Sequence, residues 1–181
     1  MVSVKGILAV GMTLVIITGG IDLSVGAILA FASTMAAVLL MQRHMSAIPT
    51  IFLTLLPGIA FGVLAGLLIT WGRFQPFVAT LALMIAIRGA ARLITGGPSQ
   101  PIGYGPDGAD PAFAWIAYRF DLWFIPIPAQ AILFLVVVGV FHILLSKTRY
   151  GRNVYAIGGN QEAARLAGIN VGFTIIVTYA L

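Results

Sequence analysis

The sequence predicts an all-α protein, a polytopic integral membrane bundle with one discontinuous helix near residues 19–26 and one short helix on the cytoplasmic side. Two observations predict this class. Of the 181 residues, 60% are hydrophobic and only 8% are charged, whereas soluble proteins carry about 25% charged residues. The hydrophobic residues also fall into several long runs, and a helix needs roughly 20 of them to cross a bilayer. We therefore predict several membrane spans joined by short polar segments.

The composition excludes several classes of function. Because the chain contains no cysteine, disulfides, thiolate metal sites and cysteine nucleophiles are excluded. The formal net charge of +5 does not indicate a nucleic-acid partner, because the basic residues are scattered at the ends of apolar runs. The two histidines, His44 and His142, lie in a loop and in an apolar run, and neither has the spacing of metal ligands. We therefore predict no metal site, no catalytic residue and no nucleic-acid binding.

A glycine-rich segment interrupts the first apolar stretch. Asp22 within it is the only charged residue between Ile7 and Met41, and a charge at membrane depth is costly unless it faces protein or water. Glycines permit the backbone geometries that break a helix, and a broken backbone in a membrane must be covered by protein or line a wet cavity. Asp22 therefore either lines a pathway or organises the break by accepting hydrogen bonds, and we favour the second role. The candidates for the break or pathway are Gly19, Gly20, Asp22, Ser24 and Gly26.

The next apolar run, Ile51 to Trp71, predicts a span that carries three glycines four residues apart. This spacing places Gly58, Gly62 and Gly66 on one helix face, where small residues let a second helix approach closely. We predict that these glycines serve helix packing rather than substrate binding, because small-residue ridges are common in membrane bundles.

A further span is predicted from Phe77 to Ile94, with Arg88 and Arg92 near its end. The two arginines are four residues apart and therefore share a helix face. They either reach to the lipid headgroups, as long basic side chains do at helix ends, or provide polar groups at the outer mouth of a pathway. We favour the first role, because both lie in the last two turns of the apolar run.

Residues 95–128 predict an irregular loop, which is followed by another span from Ala129 to Leu145. The loop contains six of the nine prolines, so it cannot form a regular span. Its segment 112–124 is rich in aromatic residues, which are typical of the bilayer interface. We predict that this loop lies on the periplasmic side and partly at the interface.

The densest group of basic residues lies within residues 147–170. Lysine and arginine concentrate in the cytoplasmic loops of membrane proteins, so we predict that this loop is cytoplasmic. Counting spans backwards then places residues 95–128 outside, in agreement with the preceding prediction. The basic residues of the loop are Lys147, Arg149, Arg152 and Arg165.

The same loop contains a predicted short helix between Asn160 and Gly168. Asn160 can cap the first amide groups, Glu162 lies in the first turn where the helix dipole favours an acid, and Gly168 can form a left-handed stop. Residues three and four apart share a helix face, which is apolar at Ala163, Leu166 and Ala167. The residues leave two roles open, docking into a groove on a partner or lying at the membrane surface.

The whole of 1–181 is predicted to form a single membrane domain. Its last apolar run, Val171 to Leu181, has 11 residues, which are too few to cross a bilayer. We therefore expect the chain to be incomplete at both ends.

Several motifs together resemble one known family. In order along the chain they are AVGMTLVI at residues 9–16, GGIDLSVG at 19–26, QPFVATL at 75–81, RG at 88–89, TGG at 95–97, RYGR at 149–152 and YAIGGNQEAARLAGI at 155–169. Through these motifs the chain resembles the permeases of bacterial ATP-binding-cassette importers for pentoses and hexoses, the ribose, xylose, galactose and galactofuranose group.

The resemblance implies a permease subunit of the bacterial inner (plasma) membrane that is no enzyme and binds no cofactor itself. ATP and Mg²⁺ would be bound by a separate ATPase. The implied partners are cytoplasmic ATP-binding-cassette subunits, a periplasmic sugar-binding protein, a second permease copy or paralogue, and the lipid bilayer. The EAA motif followed by glycine is similar to the loop through which such permeases contact their ATPase. It implies ATPase-coupling roles for Asn160, Glu162, Ala163, Ala164 and Gly168.

Two alternative functions stay open. A proton-coupled secondary transporter could use Asp22 as its proton carrier, a known use of carboxylates within membranes. A truncated chain could also be a membrane fragment that does not transport. An intramembrane hydrolase is disfavoured, because Ser24 lies in no G-x-S-x-G motif.

Overall fold

Helices form most of the computed structural model, which describes residues 2–97, 101–103, 109, 111–122 and 125–181. Within these residues the chain forms eight α-helices, one 3₁₀ helix and one antiparallel pair of strands. This confirms the predicted all-α class. The α-helices are α1 (Val2–Ile17), α2 (Val25–Met41), α3 (Ala47–Thr70), α4 (Pro76–Thr95), α5 (Ala129–Lys147), α6 (Arg149–Gly159), α7 (Gln161–Leu166) and α8 (Val171–Ala180).

Three of the described helices, α3, α4 and α5, are long and apolar enough to cross a membrane, while α1, α2 and α8 are apolar but shorter. These helices coincide with the predicted apolar runs. Helix α3 begins at Ala47, four residues before the predicted span. It includes Pro49 in its first turn, where the missing amide of proline breaks no helical hydrogen bond.

The predicted periplasmic loop contains more regular structure than the sequence suggested. A 3₁₀ helix covers Pro111–Ala117, and strands β1 (Arg119–Leu122) and β2 (Ile125–Pro128) pair in antiparallel register. Two strands have only outer edges, and prolines are tolerated there because their missing amide can face away from the partner. Other parts of the predicted loop, at 98–100, 104–108, 110 and 123–124, lie outside the described residues.

The chain divides into two compact units. The first comprises Met1–Asp22, Gly62–Thr80 and Gln130–Leu181. In this unit α6 contacts α1, α7 and α8, and α8 also contacts α1 and α7. The side chains that these helices bury include Leu14, Val15, Val154, Ile157, Ile175 and Tyr179.

The second unit comprises Leu23–Phe61 and Leu81–Ala129. Phe31 of α2 and Phe61 of α3 pack edge to face with their ring centroids 5.3 Å apart, the arrangement that aromatic quadrupoles favour. The apolar side chains buried in this unit include Leu40, Leu83 and Ile87.

Within the first unit, α8 packs against the second half of α3 with unusually close backbones. A Cβ atom added at Gly62 would overlap the carbonyl oxygen of Tyr179, and one added at Gly66 would lie 2.6 Å from Ile176 Cα. Only glycine allows backbones to approach this closely. Gly62 and Gly66 of α3 therefore form a groove in which α8 packs, which we call the slot.

Gly58 shares the predicted glycine face but has a different environment. It belongs to the second unit, and a Cβ atom added there would lie 3.6 Å from Ile28 Cγ2. This is an ordinary packing distance, so the position has room for a methyl group. The three glycines of the ridge therefore do not serve one contact.

Candidate functional site

The glycine-rich segment is a true helix break. Helix α1 ends at Ile17, and α2 begins at Val25, which confirms the predicted discontinuous helix. Gly19 has φ +79°, its amide donates to the Ile16 carbonyl, and the Gly20 amide donates to the Val15 carbonyl. A left-handed glycine with this pair of hydrogen bonds is a common helix stop.

The other predicted residues of the break divide between loop and helix. Asp22 is 9% exposed and Ser24 is 1% exposed, so both polar side chains are buried. Ser24 occupies the N-cap position of α2, and Gly26 lies inside that helix with open space where a side chain would project. The break therefore spans residues 18–24, and Gly26 belongs to the helix that follows.

One backbone carbonyl of the break accepts hydrogen bonds from hydroxyl groups of two other helices. The Ile21 carbonyl accepts hydrogen bonds from Thr80 Oγ1 of α4 at 3.3 Å and from the Tyr179 hydroxyl of α8 at 3.5 Å. A Cβ atom added at Gly20 would also meet the Tyr179 hydroxyl. A carbonyl released from a helix within a membrane needs such partners. Sequence reasoning missed Thr80 and Tyr179, since each looks like an ordinary residue of an apolar helix.

The predicted cytoplasmic loop contains an additional helix, α6 (Arg149–Gly159), which no sequence motif predicted. Thr148 caps it by accepting a hydrogen bond from the Gly151 amide at 3.2 Å. Tyr150 shares a hydrogen bond of 2.8 Å with Thr178 of α8. A Cβ atom added at Gly151 would overlap the Leu145 carbonyl of α5. The threonine cap was a visible signal for this helix.

Helix α7 follows α6 directly and has the predicted ends. The Asn160 side chain accepts a hydrogen bond from the Ala163 amide at 2.9 Å. Gly168 has φ +82° and its amide donates to the Arg165 carbonyl, while the Ile169 amide donates to the Ala164 carbonyl. Both ends of this short helix are therefore fixed by local hydrogen bonds.

The side chains of α7 divide into one buried and several exposed positions. Ala164 is 4% exposed, whereas Leu166 is 82% exposed and Ala163 and Ala167 are also exposed. Glu162 and Arg165 form an exposed ion pair at 3.2 Å, which contributes little stability at a solvated surface. The apolar face predicted for this helix is thus open to a partner, and Ala164 packs against its own chain.

The two arginines of α4 lie in the second unit. Arg88 and Arg92 are both exposed, as either of their predicted roles requires. Both the headgroup contact and the outer-mouth role stay predictions.

Replacing Asn160 by alanine should destabilise α7 by about 0.5–2 kcal/mol, the usual cost of losing an N-cap. We expect faster hydrogen exchange at Ala163, whose amide donates a hydrogen bond to the Asn160 side chain. Asn160→Asp should preserve the protection, because aspartate caps equally well. Unchanged exchange in the alanine variant would contradict a stabilising role for the cap.

Comparison with known proteins identifies the family. All residues from 1 to 181 match the family model described as branched-chain amino acid transport system / permease component. The ribose import permease of Escherichia coli K12 is 40% identical over 179 residues, which cover 99% of this chain and 54% of the relative. The ribose import permease of Bacillus subtilis 168 is 40% identical over 185 residues, covering 99% and 53%. The galactofuranose transporter permease of E. coli K12 is 40% identical over 176 residues, covering 97% and 48%.

The chain spans about half the length of the curated relatives it matches. No solved structure shows significant similarity to it. The matches confirm the resemblance to sugar permeases. One further relative, from E. coli K12, is named an inner membrane ABC transporter permease and is 39% identical over 180 residues. The chain belongs to the family of membrane permease components that includes the ribose and galactofuranose permeases.

Proposed function

We propose that this chain is a transmembrane permease subunit of an ATP-driven sugar importer, which forms part of the translocation path and couples to ATPase subunits through α7. The observation that carries the proposal is the family match over all 181 residues, with relatives named as ribose and galactofuranose permeases. The sugar class is taken from these relatives. The composition agrees with it, because monosaccharides are neutral and the chain has few charged residues that could bind a charged substrate.

The geometry of α7 supports its role in coupling. Its backbone is fixed at both ends by Asn160 and Gly168, and it contacts α6 and α8. Leu166 remains 82% exposed, although burying a leucine side chain stabilises a protein by about 1.5–3 kcal/mol. A rigid helix with an uncovered leucine is suited to insertion into an apolar groove of a partner.

The remaining partners follow from the same proposal. The ATPase binds ATP and Mg²⁺, and no cofactor is assigned to this chain. A periplasmic sugar-binding protein delivers the sugar at the outer face, where the residues 95–128 provide contact surface. A second permease copy or paralogue completes the path, and closure of two ATPases on ATP changes which side is open. In this scheme the permease binds and releases sugar without forming or breaking covalent bonds.

Crosslinking from a single cysteine tests the contact with the ATPase. The chain has no native cysteine, so Leu166→Cys carries one reactive thiol. We expect a photo-reactive maleimide on this thiol to form an adduct with a co-assembled ATPase subunit. Ala164 is a poorer position for the probe, because its side chain is buried.

A matched control uses Leu93→Cys, which replaces a leucine that is 86% exposed in α4 on the predicted periplasmic side. This variant should carry the probe without forming the adduct. An assembled complex in which Leu166→Cys yields no more adduct than Leu93→Cys would refute coupling through α7.

A further inference from the structure

Elements on both sides of α7 contact the helix break within the first unit. At one side, a Cβ atom added at Gly158 of α6 would overlap the carbonyl oxygen of Ile17, the last residue of α1. At the other side, the Tyr179 hydroxyl of α8 donates to the Ile21 carbonyl. The first contact lies immediately before the break and the second lies within it, so the two helices that flank α7 contact the chain at two points four residues apart.

Helices α6 and α8 are also joined to each other. Tyr150 of α6 shares a 2.8 Å hydrogen bond with Thr178, the residue next to Tyr179. Helix α7 lies between them in sequence and contacts both, and the Asn170 side chain caps the start of α8 by accepting from the Phe173 amide. Helices α6, α7 and α8 are therefore tied by side-chain hydrogen bonds and direct packing, and we call them the coupling module.

The slot on α3 limits how the coupling module can respond to a displacement of α7. At Gly62 and Gly66 the backbone of α8 contacts the backbone of α3. Close-packed backbones cannot absorb a displacement as flexible side chains do, and packed interfaces transmit strain. A shift of α7 would therefore reach Tyr179 and the Ile21 carbonyl instead of being lost within α8.

Thr80 supplies the opposing contact. Its hydroxyl oxygen lies 2.8 Å from the Pro76 carbonyl and 3.4 Å from the Phe77 carbonyl of its own helix, and 3.3 Å from the Ile21 carbonyl, so its single proton is shared among these acceptors. Its side chain is fully buried. The Ile21 carbonyl is thus held between α4 and α8, and movement of α8 changes how this one acceptor is shared between two donors.

We propose that Tyr179 and Thr80 are positioning residues that transmit displacement of α7 to the helix break at residues 18–24. The inference rests on the proposed function, because it takes the ATPase as the source of the displacement. Tyr179 acts through its hydroxyl on the Ile21 carbonyl, and Thr80 holds that carbonyl against α4. Neither residue is required to touch the sugar.

The test measures the break and the docking contact separately in the assembled complex. Ile21→Cys places a thiol at an exposed side chain and leaves the backbone carbonyl in place. Its rate of maleimide labelling reports on the break, while protection of Leu166→Cys by the ATPase reports on docking. We expect a non-hydrolysable ATP analogue to change the Ile21→Cys labelling rate at least threefold. Tyr179→Phe should reduce this change to less than 1.5-fold without altering the protection of Leu166→Cys.

Thr80 provides a second, independent set of variants. Thr80→Val keeps the shape of the side chain and removes the hydroxyl, so it should abolish the nucleotide-dependent change as Tyr179→Phe does. Thr80→Ser restores the hydroxyl and should restore the change, which a purely structural role in packing does not predict.

The outcomes separate the two proposals. Loss of the nucleotide response in Tyr179→Phe with docking intact supports the transmission role. A full response in both Tyr179→Phe and Thr80→Val overturns it, and so does an unresponsive Ile21→Cys in an otherwise native chain that docks. Failure of the ATPase to protect Leu166→Cys overturns the proposed coupling function itself.

Discussion

Gly62→Ala is expected to destabilise the protein more than any other single methyl addition on the α3 ridge. The added Cβ atom would overlap the Tyr179 carbonyl oxygen and lie 2.8 Å from Ala180 Cα. Both neighbours are backbone atoms, so relief requires a shift of the whole α8 helix. Overpacking of this kind costs about 1–3 kcal/mol and occasionally more. We expect a lower midpoint of thermal unfolding in detergent and a smaller folded fraction in membranes.

Gly58→Ala is the matched control, one turn earlier on the same face. Its Cβ atom would make an ordinary 3.6 Å contact with Ile28, and alanine is favoured over glycine within a helix by about 1 kcal/mol. We therefore expect an unchanged or slightly higher unfolding midpoint. Equal midpoints for the two alanine variants would contradict the close approach of α8 to Gly62.

Much of the fold could be predicted because its signals are local. The spans α3, α4 and α5 follow from the length and composition of apolar runs, which are read without knowledge of any partner. The ends of α7 follow from Asn160 and Gly168, whose hydrogen bonds reach only a few residues along the chain. The helix break could be predicted for the same reason, since Gly19 stops α1 through its own neighbours.

The contacts that complete the candidate site are not local. Thr80 and Tyr179 reach the Ile21 carbonyl across 59 and 158 residues of sequence, and no periodic pattern marks either hydroxyl. The glycine ridge shows the same limit. Its spacing predicts a shared face, but only the three-dimensional structure shows that Gly62 and Gly66 meet α8 and that Gly58 meets α2.

Helix α6 was missed for a different reason. Charged residues and glycines in Arg149–Gly159 made this segment look like a cytoplasmic loop. The glycines instead mark close backbone contacts, at Gly151 with Leu145 and at Gly158 with Ile17. The exposed Arg149 and Arg152 lie on the outer face of the same helix, so the segment is amphipathic rather than irregular.

Gly158→Ala is expected to disturb both stability and the helix break. Its Cβ atom would overlap the Ile17 carbonyl oxygen, which belongs to the last residue of α1 and has no side-chain freedom with which to move away. We expect a loss of about 1–3 kcal/mol in the free energy of unfolding, measured as a lower unfolding midpoint. Because the contact lies beside the break, the labelling rate of Ile21→Cys should also rise.

The adjacent Gly159 separates the effect of this contact from any general effect of alanine. It ends the same helix, and a Cβ atom added there meets nothing within 4 Å. Gly159→Ala should therefore leave the unfolding midpoint and the labelling of Ile21→Cys unchanged. A similar loss of stability in both variants would show that alanine destabilises the end of α6 regardless of the contact with Ile17. A loss of stability confined to Gly158→Ala requires that the backbone of α6 packs directly against the last residue of α1, where the break begins.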